Sequence, residues 1–167
     1  MNRNRFVVMG VTGSGKSTVG AMLAQTIGVE FVEGDEYHSP ENVRRMASGS
    51  PLTDEDRADW LRSLAARIEE AKKAGNGLVL ACSALRRSYR DILRAADPDL
   101  TFLFLKGSES LIAGRIAGRR DHFMPPPLLD SQLATLEEPA QDENVVVCDI
   151  SRTPQSIVDA VVDRNSR

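Results

Sequence analysis

The chain has 167 residues, a length that fits one domain with a sizeable core. It is 41% hydrophobic and 27% charged, as soluble globular proteins are, and carries a formal net charge of −3. No apolar run approaches the ~20 residues of a membrane span, and no basic block supplies the positive face that nucleic acid requires, so neither is an expected partner.

In chain order, Met1-Asn2-Arg3-Asn4-Arg5 leads straight into residues 6–9, a short apolar run that reads as a buried strand. That leaves no room for a signal peptide, and the cytoplasm is the expected compartment. Gly10-Val11-Thr12-Gly13-Ser14-Gly15-Lys16-Ser17 then spells a complete P-loop, G-x-x-x-x-G-K-S. A helical pattern continues through Thr18 to about Ile27. Strand, Gly-rich loop and helix together are the context that separates a Walker A motif from a chance turn. The amides from Gly10 to Thr18 are expected to cradle the phosphates of a nucleoside triphosphate, because the loop and the helix N-terminus present unpaired N–H groups. Lys16 would reach the β- and γ-phosphates, and the Ser17 hydroxyl would ligate Mg²⁺.

Four more apolar runs, at 30–32, 78–82, 101–105 and 145–148, read as strands. Their continuous rather than alternating character suits strands buried on both faces of a parallel sheet. Helical patterns lie between them. One starts near Asp54, capped by Thr53 or Asp54, and stops at Gly75 and Gly77. A second begins after Ser83, a third at Ser108, and the last covers roughly 154–163. Alternating β and α predicts a doubly wound α/β domain with crossover helices. Residues 35–53 and 119–139 break the alternation and read as long functional connections, the second containing Pro125-Pro126-Pro127. Cys82 and Cys148 end apolar runs and read as buried thiols.

A P-loop alone does not separate a kinase from a switch or a motor. No Asn-Lys-x-Asp guanine-reading motif is present, and the run at 78–82 ends Ala81-Cys82-Ser83 without the usual Walker B carboxylate. The run at 30–32 is followed by Glu33-Gly34-Asp35. A carboxylate at the tip of a strand points into the ligand crevice of an open α/β sheet, so Asp35 is the candidate to accept the proton of an attacking hydroxyl or to hold a water of the Mg²⁺ shell. Glu33 is expected to face solvent or to pair locally.

Around Asp35 gather His38, Asn42, Arg45, Asp54, Asp56, Arg57 and Trp60, a mixed polar set suited to a small polyhydroxylated or carboxylate substrate. Arg57 has the forked geometry to clamp a carboxylate, and Trp60 has the spacing of a core residue. Downstream of Ser83 a helix N-terminus with nearby arginines is a candidate anion site, with Arg90 preferred for substrate and Arg86 and Arg87 left to solvent. Arg115 and Arg119 share one helix face and lead into the proline-rich connection, as lid arginines closing on a triphosphate would.

On these residues the chain resembles the gluconate kinases of the P-loop small-molecule kinase group. The resemblance runs through Glu33-Gly34-Asp35 with His38 and Asn42, Met46-Ala47-Ser48-Gly49, Pro51-Leu52-Thr53-Asp54, and Asp56-Arg57 with Trp60-Leu61. It continues through Cys82-Ser83-Ala84-Leu85, Tyr89-Arg90-Asp91, His122-Phe123, Gln132 and Leu136-Glu137-Glu138-Pro139. It implies ATP- and Mg²⁺-dependent phosphorylation of D-gluconate at its 6-hydroxyl. It also implies a five-stranded parallel sheet of order 2-3-1-4-5 with a helical lid at about 109–139 and a substrate segment at about 35–61. The family's substrate pocket maps onto Asp35, His38, Arg57 and Arg90, and with them His122 and Gln132; its members are often dimers. Two departures stand out: Ser39 follows His38 where Pro is usual, and Arg45 stands where Lys is common. Two other readings stay open, a related kinase for shikimate or a nucleotide, and a nucleotide-dependent regulatory module without an acceptor.

Overall fold

The computed structural model describes residues 4–50, 52–118 and 126–166. Five strands form one parallel sheet: β1 (Arg5–Met9), β2 (Glu30–Glu33), β3 (Leu78–Ala81), β4 (Thr101–Lys106) and β5 (Val145–Asp149). Their order is β2-β3-β1-β4-β5. The helices are α1 (Lys16–Ile27), α2 (Pro40–Ala47), α3 (Asp54–Ala74), α4 (Arg87–Ala96), α5 (Glu109–Ala117), α6 (Pro126–Thr135) and α7 (Pro154–Asn165).

The central strand explains the two-layer helical cover. Every residue of β1 is buried, and successive residues serve opposite faces. Phe6 and Val8 pack with Val19 and Leu23 of α1 and with Ile157 and Val158 of α7. Val7 and Met9 pack with Leu61, Leu64 and Ile68 of α3 and with Leu93 of α4. Each such side chain contributes roughly 1.5–3 kcal/mol on burial, so the two cores, more than strand propensity, hold the sheet.

The helix ends follow local chemistry. Thr53 and Asp56 form a capping box at the start of α3, and Gly75, at φ 74°, ends it in the left-handed conformation that L side chains avoid. Ser39 caps α2 by accepting from the Asn42 amide, with Pro40 in the first turn. The stretch 35–53, expected to be a connection, therefore holds a helix; it is short and offers only Val43 and Met46 as apolar residues, too few for a visible period. The described part of 119–139 likewise contains α6. Helix α4 starts at Arg87, later than expected, because Ala84 has φ 47° and Arg86 is extended, which keeps the chain out of the helix until that point.

Two buried ion pairs stitch the framework. Arg5 pairs with Asp97, joining β1 to the end of α4. Arg90, expected at the substrate, lies elsewhere: it is fully buried, donates from Nε to Glu143 Oε1 at 2.7 Å, and donates from Nη1 to the Ala84 carbonyl at 2.8 Å. Its charge is spent inside the fold because Glu143 needs a buried partner. Burial by itself would raise the Glu143 pKa, but hydrogen bonds from Arg90, the Ala140 amide and Arg94 outweigh it and bring it down to about 2.

Removing one member of such a pair leaves an uncompensated buried charge, which costs roughly 3–5 kcal/mol. Glu143→Ala is expected to lower unfolding free energy by about 3 kcal/mol or more in urea titration, with gluconate-independent loss of Tm. The pH sign follows from the depressed folded value. The Glu143 contribution is complete above the ordinary carboxylate value of 4.5 and is lost as pH falls toward about 2, which a stability series in acid checks against Glu143→Gln.

Candidate active site

The P-loop joins β1 to α1 at the carboxyl edge of the sheet. Gly15 sits at the helix N-cap with φ 98°, a conformation that keeps the loop amides turned inward. Gly13 has φ 80°, and a Cβ there would meet Ile116 of α5 at 2.6 Å, so the loop is pressed against that helix. The Gly10 amide donates to the Ser83 carbonyl at 3.3 Å, tying the loop to the tip of β3. Lys16 Nζ donates to the Val11 carbonyl at 3.1 Å, arching back over the loop. The Ser14 hydroxyl is buried and has no hydrogen-bond partner among the described residues.

Glu33 reaches this loop, contrary to the expectation that it would face solvent or pair locally. Ser17 Oγ donates to Glu33 Oε2. Burial raises the Glu33 pKa, and Asp35 adds to the rise, while Ser17 and Lys16 oppose it. A hydroxyl and a carboxylate are hard oxygen donors of the kind Mg²⁺ takes. Among the described residues no group of three or more His, Cys, Asp or Glu forms a metal cluster, so a magnesium here would lean on few protein ligands.

The acceptor side begins at the tip of β2. Gly34 opens a 3-10 turn running to Tyr37, and a Cβ on it would overlap the Ala81 carbonyl oxygen. The Trp60 indole N–H donates to the Gly34 carbonyl at 2.7 Å, and the His38 ring stacks on Trp60 with centroids 4.1 Å apart. His38 Nε2 lies 3.8 Å from Asp35 Oδ1, while its buried Nδ1 has no hydrogen-bond partner among the described residues. The Asp35 side chain is 42% exposed, open to an incoming hydroxyl. Burial pushes the His38 pKa down to about 4, helped by Arg57 and opposed by Asp35.

Arg57, one turn into α3, donates from Nη1 to the Tyr89 hydroxyl at 3.0 Å and lies 5.5 Å over its ring. Arg45 is spent on Asp56 at 3.0 Å and on Glu41, joining α2 to α3 on the surface. Cys82 is buried just beyond the tip of β3. Burial raises its pKa to about 12, and Asp35, Lys16 and Glu33 all act on it electrostatically.

A third group comes from α5, α6 and the segment after it. Arg115 donates to the Ile150 carbonyl at 2.5 Å, at the start of the connection between β5 and α7. The Thr12 amide donates to Gln132 Oε1 at 2.6 Å. Gln132, expected at the substrate, is thus bonded to the P-loop, because α6 packs on that loop's outer side. The expected anion site at the start of α4 is filled by the chain itself: the Arg87 amide donates to Glu137 Oε1 at 2.9 Å, and the Glu137 backbone amide donates back to the Leu85 carbonyl at 2.7 Å. Arg119 and His122 lie outside the described residues. Lys16, Ser17, Asp35, His38 and Arg57 are therefore grouped at one edge of the sheet, while Arg45 and Arg90 serve the framework. The hydrogen bonds of Glu33 with Ser17 and of Tyr89 with Arg57 were not expected from the sequence.

A family model described as an AAA domain matches residues 6–139. The chain is 47% identical over 157 residues to the gluconokinase of Gluconobacter oxydans (strain 621H), covering 94% of this chain and 88% of that protein. A crystal structure of a gluconokinase from Sinorhizobium meliloti 1021 is 45% identical with a TM-score of 0.86, over 97% of this chain and 94% of that one. The unliganded structure of a sugar kinase from Janibacter sp. HTCC2649 is 46% identical with a TM-score of 0.93, at the same coverage of both chains.

The chain has two histidines, which makes the His38 environment directly testable. In a proton NMR titration one imidazole, assigned by its loss in His38→Gln, is expected to titrate near pH 4; a midpoint near 6.5 would contradict the buried, stacked site. Because the folded value is depressed, the unfolded chain takes up this proton first. The His38 contribution to stability is thus whole above 6.5 and falls away as pH drops from 6.5 toward 4.

Proposed function

The chain belongs to the gluconokinase family, and from that premise we propose that it transfers the γ-phosphoryl group of ATP to the 6-hydroxyl of D-gluconate, giving 6-phosphogluconate and ADP. The observation that carries this reading is that two unlike halves share the tip of β3: the P-loop with Lys16 is tied to Ser83 through the Gly10 amide, and Gly34, which opens the turn leading to Asp35 and His38, lies against Ala81.

In this reading the loop amides from Gly10 to Thr18 and the ammonium of Lys16 hold the triphosphate, and Lys16 follows charge onto the transferring group. Arg57 clamps the carboxylate of gluconate and so aims the far end of the chain, its 6-hydroxyl, at the donor. Asp35 takes the proton of that hydroxyl as the new O–P bond forms and the bond from phosphorus to the ADP oxygen breaks. Little covalent help is needed in phosphoryl transfer, so orientation of the hydroxyl is the larger part of the Asp35 role. His38, held neutral by burial, offers its free Nδ1 to a substrate hydroxyl rather than adding a charge. Arg115 and Arg119 serve the nucleotide, Arg115 from beside Ile150. Ser17 and Glu33 fit a magnesium ion, directly or through its waters, and that ion would neutralise charge between the phosphates. The proposed compartment is the cytoplasm, in keeping with two free, buried cysteines; no described helix is long and apolar enough to cross a membrane.

A coupled ADP-release assay with ATP, Mg²⁺ and a panel of aldonic acids, shikimate and nucleoside monophosphates tests the reading. Gluconate is expected to give the highest kcat/KM, and turnover on shikimate or a nucleotide alone would overturn it. Lys16→Ala is expected to lower kcat by on the order of 10²-fold or more, as loss of a group acting on transition-state charge does. Arg57→Ala is expected to raise the gluconate KM by about tenfold or more while leaving the ATP KM nearly unchanged, since a charge-assisted hydrogen bond is worth about 1.5–3 kcal/mol. Equal rises in both would remove Arg57 from the acceptor site.

A further inference from the structure

Asp54 and Arg57 stand three residues apart in the first turn of α3, a spacing that places opposite charges side by side on one helix face. Left alone, they would pair. They do not: among the described residues Arg57 forms no ion pair, and Asp54 forms none either. The Tyr89 hydroxyl stands between them. It donates its proton to Asp54 Oδ1 and accepts from Arg57 Nη1 at 3.0 Å. Tyr89 arrives from α4, across the crevice wall, and its ring is 5% exposed and packed in the same core as Trp60 and Leu61. The ring cannot swing away without opening that core, so the hydroxyl is a fixed wedge.

We propose that Tyr89 is a positioning residue that keeps the Arg57 guanidinium available to the acceptor's carboxylate by satisfying Asp54 in its place. The proposal rests on the reading of Arg57 as the carboxylate clamp and names what sets that clamp. One hydroxyl does two things. Its donated hydrogen bond satisfies the Asp54 carboxylate, which would otherwise compete with gluconate for the same fork. Its lone pair takes only one N–H of Arg57, leaving the others of the guanidinium's five for a bidentate partner. The direction of the chain of hydrogen bonds needs a protonated phenol. Burial and the bond to Asp54 both raise the Tyr89 pKa, against the pull of Arg57, and so keep the proton in place.

The test uses the full chain and steady-state kinetics in both substrates. Tyr89→Phe keeps the buried ring and the cation–π contact and removes only the wedge. It is expected to raise the gluconate KM about tenfold, with a much smaller fall in kcat and no change in the ATP KM. Tyr89→Phe combined with Asp54→Asn removes the competing carboxylate as well, and is expected to recover most of the lost affinity. A residue that merely supported the fold would not be rescued by that second change. A gluconate KM unmoved in Tyr89→Phe, or a double variant no better than the single one, overturns the proposal. An unmoved gluconate KM in Arg57→Ala overturns the clamp itself, so the two failures are told apart. Thermal melting of each variant separates a binding loss from unfolding.

Discussion

The hydrogen bond from the Trp60 indole to the Gly34 carbonyl fixes the acceptor half of the crevice. One partner belongs to α3, the helix that carries Arg57; the other begins the turn that carries Asp35. The bond is buried, so breaking it would leave a carbonyl and an N–H unsatisfied at a cost of about 1–3 kcal/mol each. It therefore behaves as a rigid pin between two elements whose side chains must face one substrate. His38 stacks on the same indole and takes its orientation from it. Gly34 allows the arrangement from the other side, since its backbone lies against Ala81 with no room for a Cβ.

The donor half depends on the same strand tips. The Gly10 amide reaches the Ser83 carbonyl, so the P-loop is registered against β3, and β3 in turn against Gly34. The order β2-β3-β1-β4-β5 makes this unavoidable, because β1 sits where the connections diverge to the two sides of the sheet. Crevices in open α/β sheets form at that switch point, outside the carboxyl ends of the strands. The segment from Gln132 to Glu138 adds a brace, with one bond to Thr12, two to the loop before α4, and an ion pair from Glu138 to Lys106.

The arginines show how burial sorts residues that composition treats alike. Arg5 and Arg90 are buried and matched with carboxylates, as a charge inside a protein must be. Arg45 and Arg87 hold surface partners at modest value. Arg57 is half-buried, and its only side-chain hydrogen bond among the described groups is to a neutral hydroxyl. A cation placed in a crevice and bonded to a neutral group keeps its capacity for an anion.

Much of the fold was legible in the chain. Five apolar runs gave five strands to within a residue or so at each end; β1, β3 and β4 are buried on both faces and apolar along nearly all their length, whereas the edge strands β2 and β5 are partly exposed, Val147 at 58%. The P-loop, the cap at Thr53 and the stop at Gly75 are local rules written in adjacent residues. Helix α2 was not legible, because a short surface helix buries too little to leave a period. Asp35, His38 and Arg57 stand out as candidates in the sequence because each lies in or beside a motif with its own chemistry. Glu33, Tyr89, Arg90 and Gln132 were misjudged because their roles are set by partners 16, 35, 53 and 120 positions away. The sequence by itself determined that a triphosphate loop faces a polar acceptor segment. Only the tertiary structure decided which charges are spent on the fold and which stay free for substrate, since that depends on which buried groups needed a partner first.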